Sequence, residues 1–521
     1  MSTLSKTQET RKHVIETSGG VVAAQNRLAA EAGAEILRAG GDAVDAAVAT
    51  SFAIGVLEPW MSGPAGGGAA LHWRADSSEA VAINFGMRSP KKLNVAHYPL
   101  TGKGKAGDLF PWEQVVDDRN VEGASAIAVP GTVDGVGQAH ARWGRMPWSD
   151  LLAPAIRHAR DGLLVDWYAA LMIASTARNL AKDADAAELF LDDGIWPKGS
   201  GWTAIPNNRL NQSTMASTLE VLANDGARAF YRGDLAQMLV KDIQDKGGSL
   251  SADDLAGYHA WMGPAQPFHY RDAQFHVVPG LTAGPTFVRA MQELAGAEVS
   301  NPEHAYPAYA RALHCAYTER LDKMGDTGEV AEAPGCTTHF CIVDRAGNMV
   351  SHTQTLLSIF GSRVVSPSTG LLMNNGIMWF DPEQGKPNSL APDKACLMNV
   401  CPLLGSQGER RFALGASGGR KIVSAVSQMA SFIIDRGMDI GAAFHAPRID
   451  VSGEGVAVAD ETLPEEVLTA ISEVMPVQTT RRTVLPFAFA CPAGIMRNGE
   501  INTGCTEIMS PWGDVALEVS Q

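Results

Sequence analysis

A chain of 521 residues exceeds what one simple core usually supports, so two lobes or one large layered domain is expected. Apolar residues at 45% and charged residues at 19% fit a soluble globular protein. The formal net charge of -15 leaves no basic footprint and excludes a nucleic-acid or anionic-membrane partner. The polar stretch from Met1 to Gly19 lacks the apolar centre of a secretory signal, and no apolar run reaches the ~18 residues of a membrane span. The cysteines, Cys315, Cys336, Cys341, Cys396, Cys401, Cys491 and Cys505, are odd in number and have neither CxxC nor Cys/His zinc spacing. Buried or free thiols in a reducing, cytoplasmic setting are expected, with no metal and no cofactor.

In chain order, Val21 to Leu37 is rich in alanine and leucine and reads as a helix stopped by Gly40-Gly41. Asp42 can cap a second helix, Ala43 to about Gly55, whose small apolar residues suit burial between layers. Glu58-Pro59-Trp60 ends it. The glycine run Gly63 to Gly68 leads into a strand at Ala69 to Trp73. It lacks the Lys-Ser/Thr of a phosphate loop and does not open a helix, so a tight crossing of backbones is the better account. Val81 to Phe85 reads as a strand followed by a turn carrying Arg88, a residue type that can grip a carboxylate bidentately. Lys91 to Glu122 reads as loop, and Ala126 to Gly162 as a strand, the Pro130-Gly131 turn and two helices. Leu163 to Tyr168 is read as core packing. The stretch from about Ala169 to Gly263 is mostly helical by period, including a helix over Asp234–Lys246 and a capping box at Ser251 and Asp254. Ala273 to Val278 reads as a strand and Thr286 to Ala295 as a helix. Met324 to Gly335 is acidic and glycine-containing, a surface linker by composition.

The linker runs into Cys336-Thr337-Thr338-His339-Phe340-Cys341-Ile342-Val343, a strand by its β-branched and apolar content. Arg345 to Asn348 carries turn chemistry, and Met349 to Thr355 reads as the returning strand. A hairpin centred on Ala346 puts Thr337 and Thr355 at equal distances from the turn, so two hydroxyls meet at its open end. A chain that cuts itself before Thr337 would free a threonine whose own α-amine can take the hydroxyl proton. That amine titrates near pH 7.7–8.0 when unperturbed, close to working pH. Further on, Gly418-Gly419 opens a helix from Ile422 to Arg436, where backbone N–H groups can meet an oxyanion.

With these motifs in hand, the chain resembles the γ-glutamyltransferase (glutathione hydrolase) family of N-terminal-nucleophile enzymes. The matching stretches are Gly40 to Ala47, Gly66-Gly67-Gly68, Pro130 to Val133, Asp254-Leu255, Thr337-Thr338-His339, Asn374-Asn375 and Gly418-Gly419. The resemblance implies an α+β fold, a four-layer αββα sandwich. It also implies autocleavage between Cys336 and Thr337 into a large subunit, residues 1–336, and a small one, residues 337–521, and leaves further dimerisation open. It assigns Thr337 as nucleophile, Thr355 as its supporting threonine and Gly418 and Gly419 as the oxyanion glycines. The implied partner is a small amide or peptide, whose acyl group passes to water or an amine.

The substrate-gripping end departs from the family pattern. Asn84-Phe85 is followed by Gly86 rather than arginine, and the nearest arginine is Arg88. Leu357 and Trp379 stand where the family has asparagine and aspartate, and Met398-Asn399 where it has paired serines. Leucine, tryptophan and methionine cannot serve an ammonium and a carboxylate as those polar groups do, so specificity should shift by orders of magnitude. Arg88 and Asn399 remain the substrate-binding candidates. The short segment from Asp381 to Lys394 lacks the family's lid loop. Besides γ-glutamyl transfer, the sequence accommodates an acylase of cephalosporin-acylase type, or a non-catalytic relative serving as a scaffold.

Overall fold

The computed structural model describes residues 7, 9–105, 112–199, 208–324, 336–453, 455–485 and 487–519. Two antiparallel sheets organise the chain. Their strands are β1 (Val21–Ala24), β2 (Gly67–Arg74), β3 (Glu79–Phe85), β4 (Trp261–Pro264), β5 (Gln266–Tyr270), β6 (Ala273–Val277) and β7 (Cys336–Val343). They continue as β8 (Met349–Leu357), β9 (Leu403–Gln407), β10 (Arg410–Ser417), β11 (Cys491–Asn498), β12 (Ile501–Thr506) and β13 (Asp514–Leu517). The first sheet has the order β4-β3-β2-β8-β7-β1-β13 and the second β5-β6-β9-β10-β11-β12.

The β7/β8 hairpin is at the centre of the first sheet, and its side chains alternate between two environments. Phe340 and Ile342 join a core with the helices α1 (Arg27–Arg38) and α2 (Ala43–Leu57). Cys341 and Val343 join a core shared with Leu404, Ala413 and Ile495 of the second sheet. A third cluster packs the outer side of that second sheet on the helices Gly284–Leu294, Pro302–Lys323 and Lys421–Ile434. The fold is thus mixed helix and sheet, with apolar layers on both faces of the central hairpin. Among the described residues no helix is long and apolar enough to cross a membrane.

Several sequence expectations need correction. Val21–Ala24 is a strand, not the first turns of a helix. It lies between β7 and β13, where its valines are wholly buried, and Asn26 caps α1 by accepting from Leu28 N–H at 2.9 Å. Tertiary pairing overrides the local alanine-rich pattern here. The loop expected over 91–122 contains a two-stranded pair, Leu100–Lys105 with Glu113–Val115. No strand forms between Ala126 and Pro130, where Val129 makes only an isolated bridge to Arg88. Within the stretch read as core, Trp167 is 59% exposed because Asp166 caps a helix that starts there and turns the indole outward. The 22-residue helix Pro302–Lys323 was not anticipated.

The expected helix caps at Asp42 and Ser251 form: Asp42 and Asp45 make a capping box on α2, and Ser251 and Asp254 make another. The linker before Cys336 lies outside the described residues, apart from Met324. Among the described residues Cys315, Cys341, Cys396, Cys401, Cys491 and Cys505 form no disulfide, and no group of three His, Cys, Asp or Glu side chains could hold a metal ion.

Candidate active site

The hairpin turn is centred on Ala346. Asp344 and Asn348 exchange backbone and side-chain hydrogen bonds, and Gly347 takes φ +89°. Pairing runs regularly from Val343↔Met349 to Thr338↔Gln354, then slips, because the next pair is Cys336↔Leu357. Thr337 therefore faces two residues, Thr355 and Leu356, across a β-bulge. The equal spacing read from the sequence is broken at the position of interest. Bulges of this kind re-aim a side chain and are common beside active sites. Thr337 is 1% exposed in the uncut chain.

The bulge is held from both sides. Thr355 Oγ1 accepts from Leu357 N–H at 2.8 Å, and Leu357 adopts φ +90°, a conformation L-residues rarely take. Leu356 N–H donates to the Met61 carbonyl at 3.1 Å. The glycine run explains itself here: a Cβ on Gly66 would strike the Thr355 carbonyl, and one on Gly68 the Thr353 carbonyl. Asn374 Nδ2 donates to the Ala65 and Ala128 carbonyls at 2.8 and 2.9 Å, and Asn375 Oδ1 accepts from Ser358 N–H at 2.9 Å. The Asn-Asn motif is therefore scaffolding for the glycine run and for the end of β8.

His339 is not a base for Thr337. Its ring lies against Gly415 of the second sheet and bonds Thr353 Oγ1 at 2.8 Å and Cys341 Sγ at 3.1 Å. Burial lowers its pKa to about 3, so it stays neutral.

Across from the start of β7, β10 ends at Ser417 and the chain turns through Gly418 (φ +127°) and Gly419 (φ +64°) into the helix Lys421–Ile434. Among the described residues neither glycine N–H has a hydrogen-bond partner. One side chain ties this turn to β7. Gln25, just past β1, donates from Nε2 to Ser417 Oγ and to the Cys491 carbonyl, both at 2.6 Å. Its Oε1 accepts from Thr338 Oγ1 at 3.1 Å. Glu58, the C-cap of α2, reaches the same Thr338 hydroxyl at 3.4 Å. The sequence reading noted Glu58 only as a helix terminator and passed over Gln25. A carboxylate closing the apolar last turn of α2, Ala53 to Leu57, was the available signal.

The two substrate-binding candidates are not brought onto Thr337 by any described contact. The Arg88 guanidinium is engaged by the Asp393 carbonyl and, at 3.4 Å, by its carboxylate. Asn399 is buried, with Oδ1 accepting from Arg320 at 3.0 Å and Nδ2 without a partner among the described residues. Leu357, Trp379 and Met398 are wholly buried in one apolar cluster with Met87 and Phe380. Met398 packs on Gly86, the position where the family arginine is missing: a Cβ there would meet its Cε at 2.8 Å.

Comparison with known proteins identifies the family. The family model described as Gamma-glutamyltranspeptidase matches residues 29–334 and 328–484. The chain is 31% identical to the Acylase ACY 1 proenzyme of Pseudomonas sp. (strain V22), covering 87% of this chain and 86% of that protein. It is 29% identical to the Glutathione hydrolase proenzyme of Bacillus subtilis (strain 168), covering 90% and 86%. Its structure is similar to that of cephalosporin acylase from Bacillus halodurans, with TM-score 0.86, 25% identity and coverage of 99% and 98%. The chain therefore belongs to the γ-glutamyltranspeptidase family and is an enzyme of that hydrolase and acyltransferase class.

Proposed function

We propose that the chain cuts itself between Cys336 and Thr337, giving a large subunit of residues 1–336 and a small one of residues 337–521, and that Thr337 then cleaves acyl amides as an N-terminal nucleophile. One observation carries this reading. Thr337 faces Thr355 across a bulge, and Gln25 links the next residue, Thr338, to Ser417, which precedes two glycine N–H groups that have no partner among the described residues. The three apolar clusters support the finer assignment of a four-layer αββα sandwich.

In the proposed reaction the freed α-amine takes the Thr337 hydroxyl proton as the oxygen attacks the substrate carbonyl carbon. Thr355, oriented by the Leu357 N–H, supports that oxygen. The Gly418 and Gly419 N–H groups donate to the oxyanion, and losing one such donor costs about 10²–10³ in rate. The intermediate collapses by breaking the C–N bond, and the leaving amine takes the proton back from the ammonium. Water or an acceptor amine then attacks the threonine ester, releases the acyl group and restores the hydroxyl.

For the acyl group, γ-glutamyl or a related acyl amide is the first reading. The buried Leu357, Trp379 and Met398 favour a second, an acylase acting on more apolar acyl groups, and the likeness to proteins named acylase supports it. A panel of γ-glutamyl, glutaryl and aryl chromogenic amides separates the two. Turnover confined to γ-glutamyl amides rejects the apolar reading, and turnover confined to glutaryl or aryl amides rejects the first.

A further inference from the structure

We infer that Glu58, held as a neutral acid, is a positioning residue for Thr337: it starts a one-way hydrogen-bond chain, Glu58 to Thr338 to Gln25 to Ser417, that sets the nucleophile strand against the oxyanion turn. This rests on the assignment of Thr337 as nucleophile.

Proton counting at Gln25 and the shorter contact at Thr338 set the direction. The Cys491 carbonyl can only accept, so the group that Gln25 points at it must be the amide NH₂, at 2.6 Å. The same NH₂ donates to Ser417 Oγ at 2.6 Å, which leaves Gln25 Oε1 toward Thr338. Thr338 has one hydroxyl proton and two acceptors within reach, Gln25 Oε1 at 3.1 Å and Glu58 Oε2 at 3.4 Å, and the shorter contact assigns the proton to Gln25. An ionised carboxylate at Glu58 would then face a lone pair of the Thr338 oxygen, whereas a carboxylic acid donates to it. All four side chains are buried or nearly so: Gln25 is 4%, Glu58 3%, Thr338 0% and Ser417 1% exposed. Unmatched acceptors have no water to turn to.

Three further features hold Glu58 neutral. It is the C-cap of α2, where the carbonyl ends of the helix disfavour a negative charge. No cation forms an ion pair with it among the described residues. Burial raises its pKa to about 8.

The backbone of Glu58 is also committed to the site. Its carbonyl accepts from Met61 N–H at 2.9 Å, and the Met61 carbonyl accepts from Leu356, the residue beside Thr355 in the bulge. The Glu58–Met61 turn thus touches both sides of the bulge that presents Thr337. The side chain reaches the residue after the nucleophile, and the backbone reaches the residue after its supporting threonine.

The test is Glu58→Gln against Glu58→Ala, with Thr338→Val as a second break in the chain. Glutamine mimics the neutral acid, because its Nε2–H can donate to Thr338 Oγ1. Precursor cleavage is read on a denaturing gel, and kcat and KM on the best chromogenic amide. E58Q should cleave itself and keep kcat within about threefold of wild type, whereas E58A and T338V should lose about ten- to a hundred-fold in kcat with KM little changed. If E58A folds poorly, the contrast between E58Q and T338V still decides. E58Q as impaired as E58A, or T338V indistinguishable from wild type, would overturn the inference. An uncut wild-type chain would overturn the nucleophile assignment beneath it, a different and separately visible result.

Discussion

Replacing Gly418 by alanine tests the oxyanion turn through a single added atom. Gly418 has φ +127°, and an alanine Cβ there would lie 2.8 Å from the Ala490 Cα. That neighbour cannot retreat cheaply. Its carbonyl accepts from the buried Arg448 at 3.2 Å, and the next carbonyl, that of Cys491, accepts from Gln25 at 2.6 Å. Backbone strain of this kind costs about 1–3 kcal/mol. Relieving it rotates the peptide whose N–H is proposed to meet the oxyanion, and removal of one such donor lowers kcat by about 10²–10³. The expected variant is soluble, with a Tm a few degrees lower and kcat down about a hundredfold or more. Scanning fluorimetry gives the first quantity and chromogenic amide turnover by the processed enzyme gives the second. A lowered Tm with wild-type kcat would refute the oxyanion role and leave Gly418 as an ordinary tight turn.

Other changes probe the acyl end and the buried acid. Leu357→Asn puts a side chain that tolerates positive φ at φ +90° and returns a polar group beside Thr337. It should raise the ratio of γ-glutamyl to aryl amide kcat/KM by about tenfold, and an unchanged ratio would show that Leu357 does not face the acyl group. Asn399→Asp keeps the Arg320 bond but turns the unpartnered Nδ2 donor into an acceptor. KM should then rise by about tenfold for acyl groups ending in a carboxylate and stay level for neutral aryl ones; equal shifts for both would remove Asn399 from the acyl site. For Glu58, faced by the Thr338 hydroxyl from β7 and the Cys491 thiol from β11, the folded pKa of about 8 lies above the ordinary value of 4.5. Its contribution to stability is therefore fully present below about pH 4.5 and is lost as pH rises through about 8, because the unfolded chain releases this proton first. Tm measured against pH should fall less steeply over that window in E58Q than in wild type; parallel curves would contradict a raised pKa.

What the sequence disclosed was local. The Asp344–Asn348 turn and the β7/β8 register follow from turn residues flanked by β-branched strands, and Asp42 announces α2 through its capping box. The glycine run was legible as a close approach, though not what it approaches, which is the Thr355 carbonyl. Val21–Ala24 misled because two valines and two alanines suit either period, and only pairing with β7 and β13 decides. The helix Pro302–Lys323 hid behind an internal Pro307 and a weakly one-sided apolar pattern. The bulge was out of reach, since a one-residue slip leaves no mark on composition. So was the Glu58–Thr338–Gln25–Ser417 chain, which joins residues separated by up to 392 positions.

If Thr337 is the nucleophile, the bond before it must be broken and its hydroxyl must do the work. Mass spectrometry of the purified chain and of Thr337→Ala tests this most directly. Two wild-type fragments are expected, 1–336 and 337–521, the second with an unblocked threonine at its N-terminus, together with a T337A chain that stays whole and inactive. A wild-type chain that stays whole while hydrolysing amides, or a T337A chain cut at the same bond, would contradict the nucleophile assignment.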